Sequence, residues 1–205
     1  MTTLFLVRHG ESIWHAENRY AGSSDIALTS NGIRQAEALR EWADARRPAR
    51  VVSSPLLRAR ETATPAARAA GVELEVVPEL TESDFGIAEG RTLAEMRSDW
   101  PEATAAFVED PGANPWPGGE SPMAAAARGA AALRAIAAGG GPVLVVAHNT
   151  LLRLSLCNLL GIPPGSYRRA LPQLRNVAIN EIRFADGVAG LVSLNVPVDI
   201  PGKNR

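Results

Sequence analysis

The sequence predicts an α/β fold built on a mostly parallel central sheet. Three observations carry that reading: short apolar runs alternate with longer stretches of helical periodicity, no internal repeat interrupts the alternation, and the last two runs flank an Asp-Gly turn. Thr3 to Val7 is an apolar, β-branched run that ends at Arg8-His9-Gly10, a buried strand feeding a polar loop. After a loop containing Gly22 and Asp25, the residues Ile33, Ala36, Leu39, Trp42 and Ala43 recur at helical spacing. They predict an amphipathic helix from Gly32 to Arg46. Val51 to Ser53 reads as a second strand, followed by a helix from Leu57 to Ala70 that begins after Pro55. Leu74 to Val77 is the third strand. From about Leu80 to Ala124 the pattern breaks down, apart from a helix near Leu93 to Arg97. The Pro- and Gly-rich run from Pro111 to Pro122 reads as part of a lid or a linker. Met123 to Ala138 is an Ala-rich helix stopped by Gly139 to Gly141, and Val143 to Val146 is the most strand-like run in the chain. Leu151 to Leu160 is apolar on nearly every face, as a helix buried behind a sheet would be. Val177 to Phe184 and Val188 to Leu194 flank Asp186-Gly187, the signal of a terminal antiparallel hairpin.

Composition narrows the function classes. The 205 residues, 46% of them hydrophobic, fit one globular domain. With 21 basic and 22 acidic residues the net charge is −1, which gives no footprint for nucleic acid or an anionic membrane surface. Cys157 is the only cysteine, so no disulfide framework exists within the chain, and a reduced thiol fits a cytoplasmic location. The start, MTTLFLVRHG, lacks the basic region, apolar region and cleavage site of a signal peptide, and no apolar segment is long enough to span a bilayer.

Chemistry should gather at the carboxyl ends of the strands, where open α/β sheets bind ligands. Two strands there end in histidine, at His9 and His148. A third leads through Ser53-Ser54-Pro55 into a helix whose first turn offers Arg58 and Arg60, while Glu82 and Asp84 follow the next strand. Two imidazoles, at least two guanidiniums, a carboxyl group and helix N-termini suit a phosphate dianion. A neutral imidazole is a competent nucleophile at phosphorus, arginine forks can hold the equatorial oxygens, and a carboxylic acid can protonate the leaving alkoxide. Water activated by the same carboxylate then completes hydrolysis without a metal. No two of the three histidines have zinc-ligand spacing, so neither a metal nor another cofactor is expected.

The segment LVRHGES, Leu6 to Ser12, resembles the signature of the histidine phosphatase superfamily, also called phosphoglycerate-mutase-like. Supporting segments follow in the family's order: ENRYAGSSDIALTSNG, SSPLLRARET, ELTESDFGIAEG, PGGES and VLVVAH. The resemblance spans nearly the whole chain. It implies a three-layer αβα domain over residues 1–205 with a small lid-like insertion at about residues 92–128. It also implies that His9 is the phosphorylated nucleophile, Arg8 and Arg58 are phosphate clamps, His148 is the second phosphate-pocket histidine, protonated or donating a hydrogen bond, and Glu82 is the general acid and base. Ser12, His15 and Asn149 join the phosphate-binding set. Two positions depart from the family pattern. His15 stands where many relatives have Asn, which makes that donor pH-dependent, and Asn149 stands where Gly usually follows the second histidine, at a turn that Asn can still serve in left-handed backbone.

Other polar and aromatic residues read as structural. Arg60 lies on a different helical face from Arg58, Arg153 is likewise a structural arginine, and Trp14, Trp42 and Trp100 suit the core or an interface. Trp116 and Glu120, inside the insertion, are open between wall and core. Three functions remain in play: a metal-independent phosphomonoesterase for a small phosphorylated metabolite, a phosphoglycerate mutase, and a non-catalytic binder of phosphorylated ligands. The Ser83 and Asp84 that follow Glu82 favour the first, because mutases typically carry basic and aromatic residues there. Arg168 and Arg169 keep the second alive, as partners for another anionic group. A homodimer through the apolar edge at Val188 to Leu194 is also expected to be possible.

Overall fold

The computed structural model describes residues 1–198. In chain order its regular elements are β1 (Thr2–Arg8), α1 (Ile13–Ala16), α2 (Ser30–Arg46), β2 (Arg50–Ser53), α3 (Leu57–Ala70), β3 (Leu74–Val76), α4 (Leu93–Asp99), α5 (Pro101–Glu109), α6 (Pro122–Ala138), β4 (Val143–Ala147), α7 (Asn149–Leu159), α8 (Tyr167–Ala170), β5 (Ile179–Ala185) and β6 (Val188–Val196). The six strands form one sheet in the order β3-β2-β4-β1-β5-β6. Its first four members are parallel neighbours, whereas β5 runs antiparallel to β1 and β6 antiparallel to β5. The mostly parallel α/β sheet read from the sequence is therefore present.

Strand periodicity sorts the core into two layers. Leu4 and Leu6 of β1, with Val143 and Val145 of β4, face Leu133 and Ile136 of α6 and Leu151, Leu152 and Leu154 of α7. Their in-register neighbours Val7, Leu144 and Val146 face the other way, onto Leu39 and Ala43 of α2 and Ala59, Ala63 and Ala66 of α3. Helices therefore cover both faces, which is why every residue of β4 is buried. The hairpin turn takes positive φ at both Asp186 (50°) and Gly187 (79°), the backbone that an Asp-Gly pair tolerates best.

The insertion contains more helix than its sequence suggests. Thr92 and Glu95 form a reciprocal capping box that starts α4. Pro101 then opens α5 at the position where its missing N–H costs nothing, a helix that the disordered-looking pattern concealed. Met96, Phe107 and Trp116 close a small separate core with Ala88. Trp116 is 2% exposed and stacks on Phe107 at 4.2 Å, so it is a packing residue. Glu120 makes a two-pronged ion pair with Arg128, at 2.9 and 2.6 Å. Among the described residues no helix is long and apolar enough to cross a membrane.

Candidate active site

Because β1 and β4 are adjacent and parallel, both release their chains at the same sheet edge. Arg8 pairs with Ala147, and the ladder continues one residue further through His9 N–H to the Ala147 carbonyl, at 3.0 Å. His9 and His148 consequently meet, with ring centroids 5.1 Å apart and planes tilted by 58°. Gly10 is required at this point. A Cβ there would lie 2.7 Å from the carbonyl oxygen of Gly32, in the first turn of α2.

Two hydrogen bonds fix the state of the His9 ring. Its Nδ1 lies 2.6 Å from the Gly10 carbonyl, which can only accept, so Nδ1 carries the proton. Nε2 therefore keeps its lone pair and accepts from Arg58 Nε at 3.2 Å. Burial, together with Arg58 and Arg8, lowers the His9 pKa well below 6.5. The ring is a neutral imidazole with Nε2 as its free base.

Arg58 reaches His9 from the first turn of α3. Its Nη1 donates to Ser24 O and its Nη2 to Ala21 O and Gly22 O, so three backbone carbonyls hold the fork in place. Thr62, one helical turn on, accepts from Gly10 N–H and donates to the Arg58 carbonyl. His148 is fully buried, with Nε2 2.7 Å from Ser54 Oγ. That hydroxyl also accepts from Leu56 N–H, and His148 Nδ1 is buried without a hydrogen-bond partner among the described residues. Its pKa is also driven well below 6.5, chiefly by burial and then by Arg58, so the ring is a neutral donor and not a cation.

Glu82 arrives from the loop after β3 and meets the N-terminus of α7. Its carboxylate accepts from Thr150 N–H and Leu151 N–H, two of the donors that a helix start leaves free, and from Ser83 N–H. Burial nevertheless raises its pKa above the ordinary carboxyl value, with those three N–H groups and Arg58 pulling the other way.

These groups surround a cavity of about 170 Å³ walled by Arg8, His9, Ser12, His15, Glu82 and Asn149, together with Arg19, Tyr20, Ala21, Phe85, Thr150, Arg153 and Arg168. Arg58 and His148 stand behind that wall, against His9 and Ser54. Arg8 donates Nη1 to Leu174 O, and its Nε is buried without a partner among the described residues. Ser12 Oγ and His15 Nδ1 are in the same condition. Burial is the main reason that the His15 pKa falls to about 4, so the pH-dependent donor expected at this position is neutral across the physiological range. Asn149 begins α7 without positive φ, and its Oδ1 accepts from Leu174 N–H; no left-handed turn is needed there. Among the described residues, no group of three or more His, Cys, Asp or Glu side chains is placed to hold a metal ion.

One sequence expectation changes: Arg153, read as structural, lies on the cavity wall, where Arg168, expected as a partner for an anionic group, also stands. The signal for Arg153 was its spacing, four residues after Asn149 and hence on the same face of α7. Arg60 is exposed and lines a groove between α2 and α3, away from His9, without an ion pair among the described residues. Asp84 is also turned outward, where it accepts from Gly86 N–H. Arg19 and Tyr20 of the cavity wall lie in a loop whose path no periodicity announces.

Known proteins share this arrangement of chain. A protein of Yersinia enterocolitica named probable phosphoglycerate mutase GpmB is 31% identical over 189 residues, which cover 91% of this chain and 86% of that one. A Mycobacterium tuberculosis protein named as bifunctional is 37% identical over 198 residues; they cover 95% of this chain, which spans 54% of that longer relative. The solved structure of mycobacterial glucosyl-3-phosphoglycerate phosphatase complexed with VO3 superposes with a TM-score of 0.86 at 30% identity, covering 95% of this chain and 99% of that one. The family model of the histidine phosphatase superfamily, branch 1, matches residues 4–197, and the chain belongs to that family.

Proposed function

We propose that this histidine phosphatase hydrolyses a small phosphorylated metabolite without a metal, through a phosphohistidine on His9. The observation that carries the reading is the fixed tautomer of His9: Nδ1–H is committed to Gly10 O, and Nε2 keeps a lone pair that turns to phosphorus once the Arg58 Nε–H now donating to it goes to the phosphoryl oxygens. In the first step Nε2 attacks phosphorus and the ester P–O bond breaks as Glu82 gives its proton to the leaving oxygen. In the second, water attacks phosphorus, its proton passes to the Glu82 carboxylate, and the P–N electrons return to Nε2. Arg8 and Arg58 answer the charge on the equatorial oxygens, and the His148 imidazole donates a ring N–H to one of them. Ser12, His15 and Asn149 complete the phosphate cradle.

Hydrolysis of 4-nitrophenyl phosphate in excess chelator tests the chemistry. His9→Ala is expected to lose at least ~10³-fold in kcat, the scale of a missing nucleophile. Alkaline quenching of the wild type during turnover should trap an acid-labile phosphoryl group that the variant lacks. Equal turnover by the two proteins overturns the reading. Interconversion of the two monophosphoglycerates faster than their hydrolysis would instead assign the enzyme to the mutases, as the name of the Yersinia relative suggests.

A further inference from the structure

The peptide that sets the His9 tautomer is itself held by a side chain that does not line the cavity. Gly10 O, the acceptor from Nδ1, belongs to the Gly10–Glu11 peptide plane. On the other side of that plane Glu11 N–H donates to Gln35 Oε1 at 2.7 Å. The neighbouring planes have anchors of their own. His9 O accepts from Asn176 Nδ2, Gly10 N–H donates to Thr62, and Glu11 O accepts from Thr29 N–H. Among the described residues, Gln35 is the only group apart from His9 that bonds the Gly10–Glu11 plane. It is 8% exposed, so water competes little for that bond. Helix α2 thus meets the loop with two buried residues: Gly32, which lets the backbone approach, and Gln35 three residues on, which grips it.

The grip matters because glycine leaves the plane free to turn. Without a Cβ, rotation about the bonds of Gly10 meets little steric resistance. Half a turn would bring Glu11 N–H to the ring in place of Gly10 O. Nδ1 would then have to accept, and the proton would sit on Nε2, where it blocks attack on phosphorus. In the free enzyme Arg58 Nε–H opposes that shift by donating to Nε2. Once Arg58 turns to the phosphoryl oxygens, Gly10 O opposes it alone. The carbonyl acts again during transfer, because the ring becomes cationic as Nε2 bonds to phosphorus. Burial, Arg58, Arg8 and His15 all disfavour a charged His9, whereas the hydrogen bond to Gly10 O favours it.

We infer that Gln35 is a positioning residue for phosphoryl transfer: by accepting from Glu11 N–H it keeps Gly10 O on His9 Nδ1 and Nε2 unprotonated. The inference rests on the phosphatase reading for its kinetic test and is independent of it for its spectroscopic one. Gln35→Met removes the acceptor at similar length, and Gln35→Glu keeps an oxygen that can only accept. With 4-nitrophenyl phosphate, Gln35→Met should lose about 10²-fold in kcat with KM within about threefold of the wild type, since the phosphate contacts are untouched. Gln35→Glu should retain most of kcat. Gln35→Asn, whose amide falls one methylene short, should lose as Gln35→Met does, and it stands in if Gln35→Met unfolds the chain. Ring ¹⁵N shifts report the tautomer directly, and with three histidines the His9 signals are assigned by their loss in His9→Ala. With inorganic phosphate bound, the wild type and Gln35→Glu should show an unprotonated Nε2, whereas Gln35→Met and Gln35→Asn should show Nε2 carrying part of the proton.

Wild-type kcat, or wild-type ring shifts, in both Gln35→Met and Gln35→Asn overturn the inference. A loss of kcat that Gln35→Glu fails to rescue does the same, because the residue would then act through packing alone. If the wild type turns over no phosphomonoester, the phosphatase reading fails instead, and the ring shifts of the variants still decide whether Gln35 sets the tautomer.

Discussion

Glu82 has to be an acid in one step and a base in the next, and its surroundings pull its pKa both ways. Burial raises it, while the N–H groups of Thr150, Ser83 and Leu151 stabilise the anion. His9 titrates in the opposite direction, remaining a free base well below 6.5. The active form thus needs pH above the lowered His9 value and below the raised Glu82 value, and the kcat/KM profile should be bell-shaped with its alkaline limb owned by Glu82. Glu82→Gln should abolish that limb and cost ~10²- to 10⁴-fold in kcat on an alkyl phosphate. The cost should be much smaller on 4-nitrophenyl phosphate, whose leaving group departs without a proton. Stopped assays across pH with both substrates would show this, and an equal loss on the two would remove Glu82 from the acid role.

The loop between β1 and α2 shows how an element's packing sets a catalytic ring. Gly10 and Gly32 let the loop after His9 lie directly on the first turn of α2, where a Cβ on Gly32 would come 2.1 Å from the Glu11 carbonyl oxygen. Thr29 caps that helix and also bonds Glu11, tying loop and helix together. Gly32→Ala should therefore lower the urea midpoint and destabilise by more than ~1 kcal/mol, in contrast to the usual gain from Gly to Ala within a helix. It should also reduce kcat, since the same backbone carries Gly10 O, the acceptor that sets the His9 tautomer. A variant as stable and active as the wild type would show that the loop can shift freely. This contact lies between residues far apart in sequence, and it illustrates what was legible. Strand ends and their histidines can be read because period-two apolar runs stop abruptly at them, and Arg58 because it opens a helix right after such an end. Arg19 and Tyr20 cannot be read that way, since a loop path brings them to the cavity. Helix α5 was hidden for another reason: its face packs on the insertion's own small cluster of Phe107 and Trp116, not on the sheet.

At the scale of the whole molecule, all three histidines are held neutral, and this should govern how the fold responds to acid. His9 and His148 are lowered well below 6.5 and His15 to about 4, each first by burial. In the unfolded chain they titrate near ~6.5, so below that pH the unfolded state binds protons that the folded state refuses. Stability is then fully present above about pH 7 and falls as the pH drops, by ~1.4 kcal/mol per pH unit for each fully excluded proton. Glu82 acts against this. Its raised folded value means that the native state takes a proton before the unfolded one does, so acidification down to ~4.5 recovers part of the loss. With His15 partly exposed and contributing less, the net slope between about pH 4.5 and 6.5 should correspond to one to two protons, or ~1.4–2.8 kcal/mol per pH unit. Urea titrations at half-unit pH steps would measure it. Replacing His9 by Ala should remove close to one proton from that slope, and His15→Asn a smaller fraction, whereas replacing Glu82 by Gln should steepen it. A stability that stays flat from pH 7 to 5 would mean that the imidazoles can take up protons in place, and with it the case for a neutral Nε2 nucleophile would go.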